Sequence, residues 1–365
     1  MLIDCVIGFA IAFVVAFVST PFVRKLAIKV GAIDIPTDDR RMHKNPIPRM
    51  GGLAIFIGIM AAILYSLISS QIENSGTIFD SRIIGYILGA TIIVVMGIFD
   101  DIKPIKAIYK LLIQVVAAAV AIGFGITIGH IANPFETESY FHLGLLEIPL
   151  TILWIVGITN AINFIDGLDG LATGITCISS AALLFIFLIT GQSIGAVFIA
   201  AIMVGATMGF LPFNFNPAKI FMGDTGSNFL GFSLAIISIL GLAKTYTIIS
   251  VLVPIIILGI PIFDTGFAII RRIMNKQSPM VADKGHIHHR LIEAGLSTRQ
   301  AVFVLYAVCA LLGMLAIVLV ESSLWKVIIL IIAIIIFMYA GIRYLGNEEL
   351  KQIDNLIDTQ DKNNK

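Results

Sequence analysis

Long apolar segments dominate this sequence and restrict the folds that are open to it. Hydrophobic residues make up 58% of the 365 residues and charged residues only 13%, whereas a soluble domain carries about 25% charged residues. Because about 20 apolar residues span the core of a bilayer, the chain has room for about eleven crossings. The sequence therefore predicts an all-α, polytopic membrane protein rather than several soluble domains.

We expect each apolar segment to form a transmembrane helix. The segments run over residues 2–23, 51–70, 82–99, 107–127, 148–162, 173–190, 195–212, 227–243, 247–268, 300–320 and 325–345. Pro254 and Pro261 interrupt the ninth span, and residues 128–147 are predicted to hold an interfacial helix or a hairpin. These boundaries predict one integral membrane domain, 1–345, and a polar cytoplasmic tail, 346–365.

The basic residues predict the orientation of the chain in the membrane. Of the 24 Lys and Arg residues, 21 lie in or at the edge of the loops after the odd-numbered spans, or in the tail from Arg343 onwards. Since Lys and Arg are enriched in cytoplasmic loops, we expect the N-terminus outside and the C-terminus in the cytoplasm. The net charge of +1 by itself gives no reason to expect a nucleic-acid partner.

Nine aspartates lie in, or at the edge of, the five predicted cytoplasmic loops. They are Asp38, Asp39, Asp100, Asp101, Asp166, Asp169, Asp224, Asp264 and Asp283. A carboxylate at the centre of a bilayer costs about 2.5–3.5 kcal/mol, and helix ends avoid that cost. A proton or ion pathway would instead need ionisable groups near the middle of the membrane, and this pattern does not provide them.

The fourth loop places Asp224 between Gly223 and Gly226. Flanking glycines let a metal ion and a phosphate approach the backbone closely. Mg²⁺ uses one or two protein carboxylates together with substrate phosphates, and Asp224 can supply one of them. Phe221 is a candidate for stacking on a base, with ordinary packing as the alternative.

The second loop carries adjacent carboxylates, Asp100 and Asp101. Neighbouring residues at a helix end point about 100° apart, so one can face a metal while the other faces a reacting group. Close like charges also raise the pKa of one carboxyl, which suits a general base. A cap on the next helix is the alternative interpretation.

In the third loop, polar residues recur every three positions at Asn160, Asn163, Asp166 and Asp169. On a helix, this spacing makes a polar stripe along one face. Amides and carboxylates without balancing cations suit a nucleobase edge, sugar hydroxyls or a metal, and a solvated face is the alternative.

Loops one and five supply cations and histidines. In loop one, His43 and Arg49 precede a glycine pair that opens a helix, and both cations and helix N-termini attract phosphate. A positive-inside anchor is the alternative there. Loop five holds a cluster of His286, His288, His289 and Arg290. Phosphate contact or proton donation is favoured over a Zn²⁺ site, because no Cys or carboxylate lies at matching spacing.

Five motifs, in order and on one predicted side of the membrane, resemble those of the polyprenyl-phosphate N-acetylhexosamine-1-phosphate transferases (glycosyltransferase family 4). They are DDRRMHKNPIPRMGG, GIFDD, NFIDGLDGLATG, FNFNPAKIFMGDTGS and DKGHIHHRLIEAG, together with PIFDT at Asp264. The resemblance covers about residues 1–345. It implies a bacterial plasma-membrane enzyme that moves a sugar 1-phosphate from a UDP-sugar to undecaprenyl phosphate, releases UMP, and uses Mg²⁺ with Mn²⁺ as a substitute.

The resemblance also implies roles for residues that match the motifs. The metal ligands are Asp224 and Asp100. The catalytic group comprises Asp100, Asp101, His286, His288 and His289. The residue patterns of the loops and the motif match together give the expected substrate-binding residues, which are His43, Arg49, Asn160, Asn163, Asp166, Asp169, Phe221, Asp264 and Arg290. Of these, Asp166, Asp169 and Phe221 match the family's uridine contacts.

The resemblance favours one branch of the family. Loop five has Ile287 where the muramoyl-pentapeptide branch has a histidine, so we expect UDP-GlcNAc as donor in teichoic-acid or similar glycan synthesis. Two alternatives stay open: transfer of phospho-MurNAc-pentapeptide, and transport of a nucleotide sugar or lipid-linked sugar. The sequence does not decide whether Asp100 or Asp101 is the base, whether a covalent intermediate forms, or whether the protein is a homodimer.

Overall fold

The computed structural model describes residues 2–35, 46–73, 81–132, 140–242, 249–274 and 285–320. Its helices are α1 (Leu2–Val30), α2 (Gly52–Glu73), α3 (Ser81–Ile102), α4 (Ala107–Gly123), α5 (Glu147–Ile165), α6 (Leu171–Ile189), α7 (Ile194–Asn214), α8 (Gly223–Leu242), α9 (Ile249–Ile257), α10 (Gly259–Met274), α11 (Ile287–Glu293) and α12 (Thr298–Val320). The described residues up to 317 form one compact unit, and residues 318–320 are assigned to a second.

The predicted all-α membrane architecture is confirmed. The first eight apolar spans correspond to α1–α8, the ninth to α9 and α10 together, and the tenth to α12. Within the described residues, seven helices are long and apolar enough to cross a membrane. The eleventh span, 325–345, and the tail lie outside the described residues, so the domain boundary at 345 stays a prediction.

The ninth span is broken at Leu258, between α9 and α10. Pro254 lies inside α9, and Pro261 is the third residue of α10. Proline lacks a backbone N–H and is tolerated best in the first turn of a helix. The two prolines therefore account for one apolar segment that forms two helices.

Two short antiparallel hairpins complete the described part. Strands β1 (Ile33–Asp34) and β2 (Ile47–Pro48) pair at the two ends of loop one. Strands β3 (His130–Ala132) and β4 (Tyr140–His142) pair in the segment after α4, and a single 3₁₀ turn follows them. In its described residues, the segment 128–147 therefore contains the paired strands of a hairpin and not an interfacial helix.

Helix α8 lies at the centre of the bundle and packs against α2, α3, α5 and α6. Its first turn sits against glycine backbones. A Cβ atom on Gly52 or Gly97 would collide with the backbone of Gly226 or Thr225, respectively. This close approach brings the N-terminus of α8, with Asp224, beside the C-terminal end of α3.

Candidate functional site

A cleft of about 820 Å³ opens beside the N-terminus of α8. Carboxylate and amide side chains line it, and so do cations. The predicted site residues in its walls are Arg49, Asp101, Asn163, Asp166, Asp169, Phe221, Asp224 and His289, and Arg24 and Lys219 join them. Carboxylates of the kind that bind metal ions therefore lie in the same cleft as cations of the kind that bind phosphate.

Asp224 and Asp100 are joined through Lys110, on the second turn of α4. The Lys110 Nζ atom lies 2.6 Å from Asp100 Oδ2 and 2.7 Å from Asp224 Oδ2. Asp100 Oδ1 accepts a hydrogen bond of 2.6 Å from the Ile105 N–H. Two carboxylates from distant parts of the chain thus converge on one ammonium group at the edge of the cleft.

Asn163, on the last turns of α5, fixes the other oxygen of Asp224. Its Nδ2 atom donates to Asp224 Oδ1 and to Ser227 Oγ, each at 2.7 Å. The Asp224 carboxylate is therefore held on both sides, by an amide and by a cation. The Asn163 amide and the Lys110 ammonium thus orient the Asp224 carboxylate through charge-assisted hydrogen bonds.

Asp101 caps the N-terminus of α8. Its Oδ1 accepts the Asp224 N–H at 2.9 Å, and its Oδ2 accepts the Thr225 N–H at 3.1 Å and the Thr225 hydroxyl. The side chain is buried, with 2% of the residue exposed. A carboxylate at a helix N-terminus is favoured by the unpaired N–H groups and the helix dipole. The alternative interpretation of the adjacent carboxylates was a helix cap. Asp101 is such a cap, but it caps α8 and not the next helix along the chain.

The cap requires Gly223. This residue has φ of 71°, a left-handed conformation that side chains other than glycine rarely adopt. A Cβ atom there would also collide with the Asp101 carboxylate. Both constraints act on the residue directly before Asp224.

We expect Gly223→Ala to lower the melting temperature and to abolish activity, because the strain of about 1–2 kcal/mol at positive φ adds to the displacement of Asp101. Gly157→Ala is the matched control: a Cβ at this α5 glycine meets no atom within 4 Å. Thermal unfolding in detergent measures the effect. Equal melting temperatures for the two variants would contradict the proposed constraint.

The polar stripe predicted for loop three is interrupted by the end of α5. The helix ends at Ile165, and Asp166 follows with φ of −75° and ψ of 55°. Asp169 Oδ2 accepts hydrogen bonds of 3.0 Å from Asn216 Nδ2 and from the Ala218 N–H. The turn after α5 carries both carboxylates into the cleft, and Asp169 also holds the loop before α8.

Among the described carboxylates of the predicted loops, Asp166 has the largest shift in pKa. Burial, reinforced by the carboxylates of Asp224, Asp101 and Asp169, raises its pKa to about 8. A carboxyl group with this pKa is largely protonated at neutral pH and can donate a hydrogen bond. That property suits a carbonyl acceptor such as the edge of a nucleobase.

Loop one is tied to the start of α8 by backbone hydrogen bonds. The Phe221 N–H donates to Pro48 O at 2.8 Å, and Gly51 N–H donates to Phe221 O at 2.9 Å. Arg49 Nε donates to the Asp101 carbonyl at 3.2 Å. Phe221 and Arg49 both line the cleft, while stacking of Phe221 on a base stays a prediction.

Asp264 organises loop five from behind the cleft. Its Oδ1 accepts the Ile287 N–H at 2.9 Å, and its Oδ2 lies 2.8 Å from His286 Nδ1. His288 is 2% exposed, and burial lowers its pKa to about 4, so its ring is neutral at pH 7. Its ring is 4.3 Å from that of His289, which lines the cleft. Asp264 and His286 thus orient the short helix that presents His289.

The remaining predicted residues lie elsewhere. Asn160 is partly buried, and its Nδ2 donates to Gln114 Oε1 at 2.7 Å. Arg290 is exposed on α11. His43 lies outside the described residues, so its predicted role stays a prediction.

Sequence reasoning missed Lys110 and Gln114. Both stand inside the fourth apolar span, 107–127. Ionisable and amide side chains within an apolar span are costly and tend to be functional. That rule alone would have indicated Lys110.

The donor set fits a hard divalent cation. Asp100 and Asp224 both reach the Lys110 nitrogen within 2.7 Å, so two carboxylates already converge on a cationic group. Mg²⁺ prefers this number of protein carboxylates and takes its other oxygen ligands from water and phosphates. Within the described residues, no group of three or more His, Cys, Asp or Glu side chains could hold a metal ion alone.

Comparisons with known proteins agree with this picture. Residues 83–242 match the model of glycosyl transferase family 4. The chain is 45% identical to the probable undecaprenyl-phosphate N-acetylglucosaminyl 1-phosphate transferase of Bacillus subtilis strain 168, over 96% of this chain and 95% of that protein.

More distant relatives have related names. A decaprenyl-phosphate N-acetylglucosaminephosphotransferase of Mycolicibacterium smegmatis is 34% identical, over 81% of this chain and 77% of the relative. The undecaprenyl-phosphate alpha-N-acetylglucosaminyl 1-phosphate transferase of Escherichia coli strain K12 is 31% identical, over 80% and 77%. The helical membrane architecture, the matched family model and the 45% identity over 96% of this chain agree, and they show that the chain belongs to glycosyl transferase family 4 and is a multi-pass membrane protein.

Proposed function

We propose that this protein transfers N-acetylglucosamine 1-phosphate from UDP-GlcNAc to undecaprenyl phosphate, with release of UMP. The observation that carries the proposal is the Asp100–Lys110–Asp224 cluster at the edge of a cleft lined by further cations and carboxylates. The names of relatives at 31–45% identity support N-acetylglucosamine as the sugar and a polyprenyl phosphate as the acceptor.

The reaction exchanges one phosphoanhydride for another. An oxygen of the lipid phosphate forms a bond to the β-phosphorus of UDP-GlcNAc, and the bond from that phosphorus to the bridging oxygen breaks. UMP leaves with this oxygen. Since the bond that forms and the bond that breaks are of one type, we expect the step to be freely reversible. Positioning and charge stabilisation then supply most of the catalysis.

We assign different parts of the reaction to different residues of the cleft. Lys110 neutralises charge on the phosphates, and Arg49 and Lys219 contribute further cations to the walls. Asp166 and Asp169 contact the uridine, with Asp166 protonated and able to donate to a carbonyl. The bonds from Asp101 to the N-terminus of α8 favour a positioning role for Asp101. That leaves Asp100 as the base that accepts a proton from the lipid phosphate.

We propose Mg²⁺ as the cofactor, with Mn²⁺ as a substitute. Asp224 and Asp100 would hold it, and Lys110 would shift towards the phosphates when the donor binds. An ion held there would supply positive charge to the diphosphate oxygens as negative charge develops on them. We also propose that the cleft faces the cytoplasm, with the N-terminus outside and the C-terminus inside, because basic residues concentrate at this end of the helices.

Purified protein with undecaprenyl phosphate and Mg²⁺ should release UMP from UDP-GlcNAc and not from UDP-MurNAc-pentapeptide. Chromatographic quantification of UMP gives the readout, and chelation by EDTA should stop the release. UMP from the pentapeptide donor alone would keep the chemistry and overturn the assignment of the sugar. A folded protein that releases UMP from neither donor would overturn the proposed function.

A further inference from the structure

Gln114 lies one helical turn after Lys110, on the same face of α4. It is buried, with 2% of the residue exposed. Its Nε2 atom donates to Asn228 Oδ1 at 2.9 Å, and its Oε1 accepts from Asn160 Nδ2 at 2.7 Å. One side chain on α4 is therefore bonded to both α5 and α8.

The two partners of Gln114 are themselves anchored. Asn228 Nδ2 donates to the carbonyl of Asp224 at 2.9 Å, and Asn160 Nδ2 also donates to Val156 O at 2.8 Å. Buried amide networks with satisfied donors and acceptors fix the relative position of the helices that carry them. This network reaches the backbone of Asp224, the residue whose carboxylate Lys110 contacts.

We propose that Gln114 is a positioning residue that sets the register of α4 against α8 and so keeps the Lys110 ammonium beside Asp100 and Asp224, within reach of the phosphates of a bound donor. The inference rests on the proposed function, in which Lys110 acts on the phosphates. Lysine is a long side chain with four rotatable bonds and a mobile charge. The hydrogen bonds of Gln114, one helical turn away, limit the positions that the Lys110 ammonium can reach.

This geometry separates the effect of Gln114 from donor binding. The uridine contacts proposed for Asp166 and Asp169 lie on the turn after α5, and neither residue bonds to Gln114 in the described contacts. Loss of the network should therefore disturb the reacting end of the cleft and spare the end that binds the nucleoside. The kinetic consequence is a fall in kcat with little change in KM.

Gln114→Met preserves the length of the side chain and removes its hydrogen bonds. We expect kcat for UMP release to fall about 10- to 100-fold, because a displacement of about 1 Å at a reacting centre costs up to about 10²-fold. KM for UDP-GlcNAc should change by less than about threefold. Leu112→Met, on the same helix and 54% exposed, is the control and should leave kcat unchanged.

A mutant cycle tests whether Gln114 acts through Lys110. In a Lys110→Arg background, whose remaining activity sets the reference, Gln114→Met should lower kcat by less than about threefold further, because coupled residues are not additive. An equal loss in both backgrounds would overturn the proposal, as would a wild-type kcat in Gln114→Met or a rise in KM that accounts for the whole effect.

Asn228→Ala provides a second variant, since it removes the α8 end of the same hydrogen bond. It should reproduce the fall in kcat with unchanged KM if Gln114→Met fails to fold. Failure of both variants to fold would assign the network to folding and overturn the positioning role. Wild-type protein without UMP release would instead overturn the proposed function, so the two failures are distinguishable.

Discussion

Asp224→Asn should lower UMP release by about 10³-fold or more, because a carboxylate that holds a metal ion contributes several kcal/mol to stabilisation of the transition state. Asparagine keeps the size of the side chain, and its carbonyl oxygen can still accept from Asn163. It removes the negative charge that Lys110 contacts at 2.7 Å. The variant should therefore fold, and its loss of activity would report on charge rather than on shape.

The measurement for Asp224→Asn is the rate of UMP release as a function of Mg²⁺ concentration. We expect half-activation to need more Mg²⁺ than in the wild-type protein, in addition to the lower maximal rate. Glu293→Gln removes an exposed carboxylate on α11 and should leave both quantities unchanged. Activity of Asp224→Asn within threefold of the wild-type rate would refute the assigned metal role.

Lys110→Met should lower kcat by about 10²- to 10³-fold, the range seen when one preorganised group that stabilises developing charge is removed. Methionine keeps most of the length of lysine and lacks the ammonium group that lies within 2.7 Å of Asp100 and Asp224. The two carboxylates would then face each other without a cation between them.

The dependence on Mg²⁺ distinguishes this variant from Asp224→Asn. Lys110 occupies the position between the two carboxylates, so its removal should leave the Mg²⁺ concentration for half-activation unchanged or lower it. Lys106→Met, at an exposed position four residues earlier, is the matched control. A kcat near the wild-type value, or a large rise in the Mg²⁺ requirement, would show that Lys110 does not act as proposed.

The helices were predictable from sequence because hydrophobic length is a local property. An apolar run of about 20 residues specifies a transmembrane helix whatever its neighbours are. The prolines in the ninth span also act locally, and they predicted the break that the structure has at Leu258. The sequence did not distinguish two structures for the segment 128–147, because both a hairpin and an interfacial helix provide hydrogen bonds for its backbone N–H and C=O groups.

The candidate site was predictable in part. The patterns around Asp224, Asp166 and Asp169 predicted contacts to a metal ion and to the substrate, and the structure brings these three residues into one cleft. The periodicity of loop three was misleading beyond Ile165, where α5 ends. Spacing of three residues does not show where a helix stops, whereas the glycines that follow Asp166 allow the chain to turn.

The sequence by itself determined the membrane architecture, the helix breaks and the set of loops that carry carboxylates and cations. Only the tertiary structure decided how those groups pair. Asp101 caps a helix that begins more than 120 residues later in the chain, and Lys110 joins Asp100 to Asp224 across a similar distance. Such pairs depend on which helices pack together. That packing follows from the close approach at Gly52, Gly97 and Gly226, which no local pattern of hydrophobicity encodes.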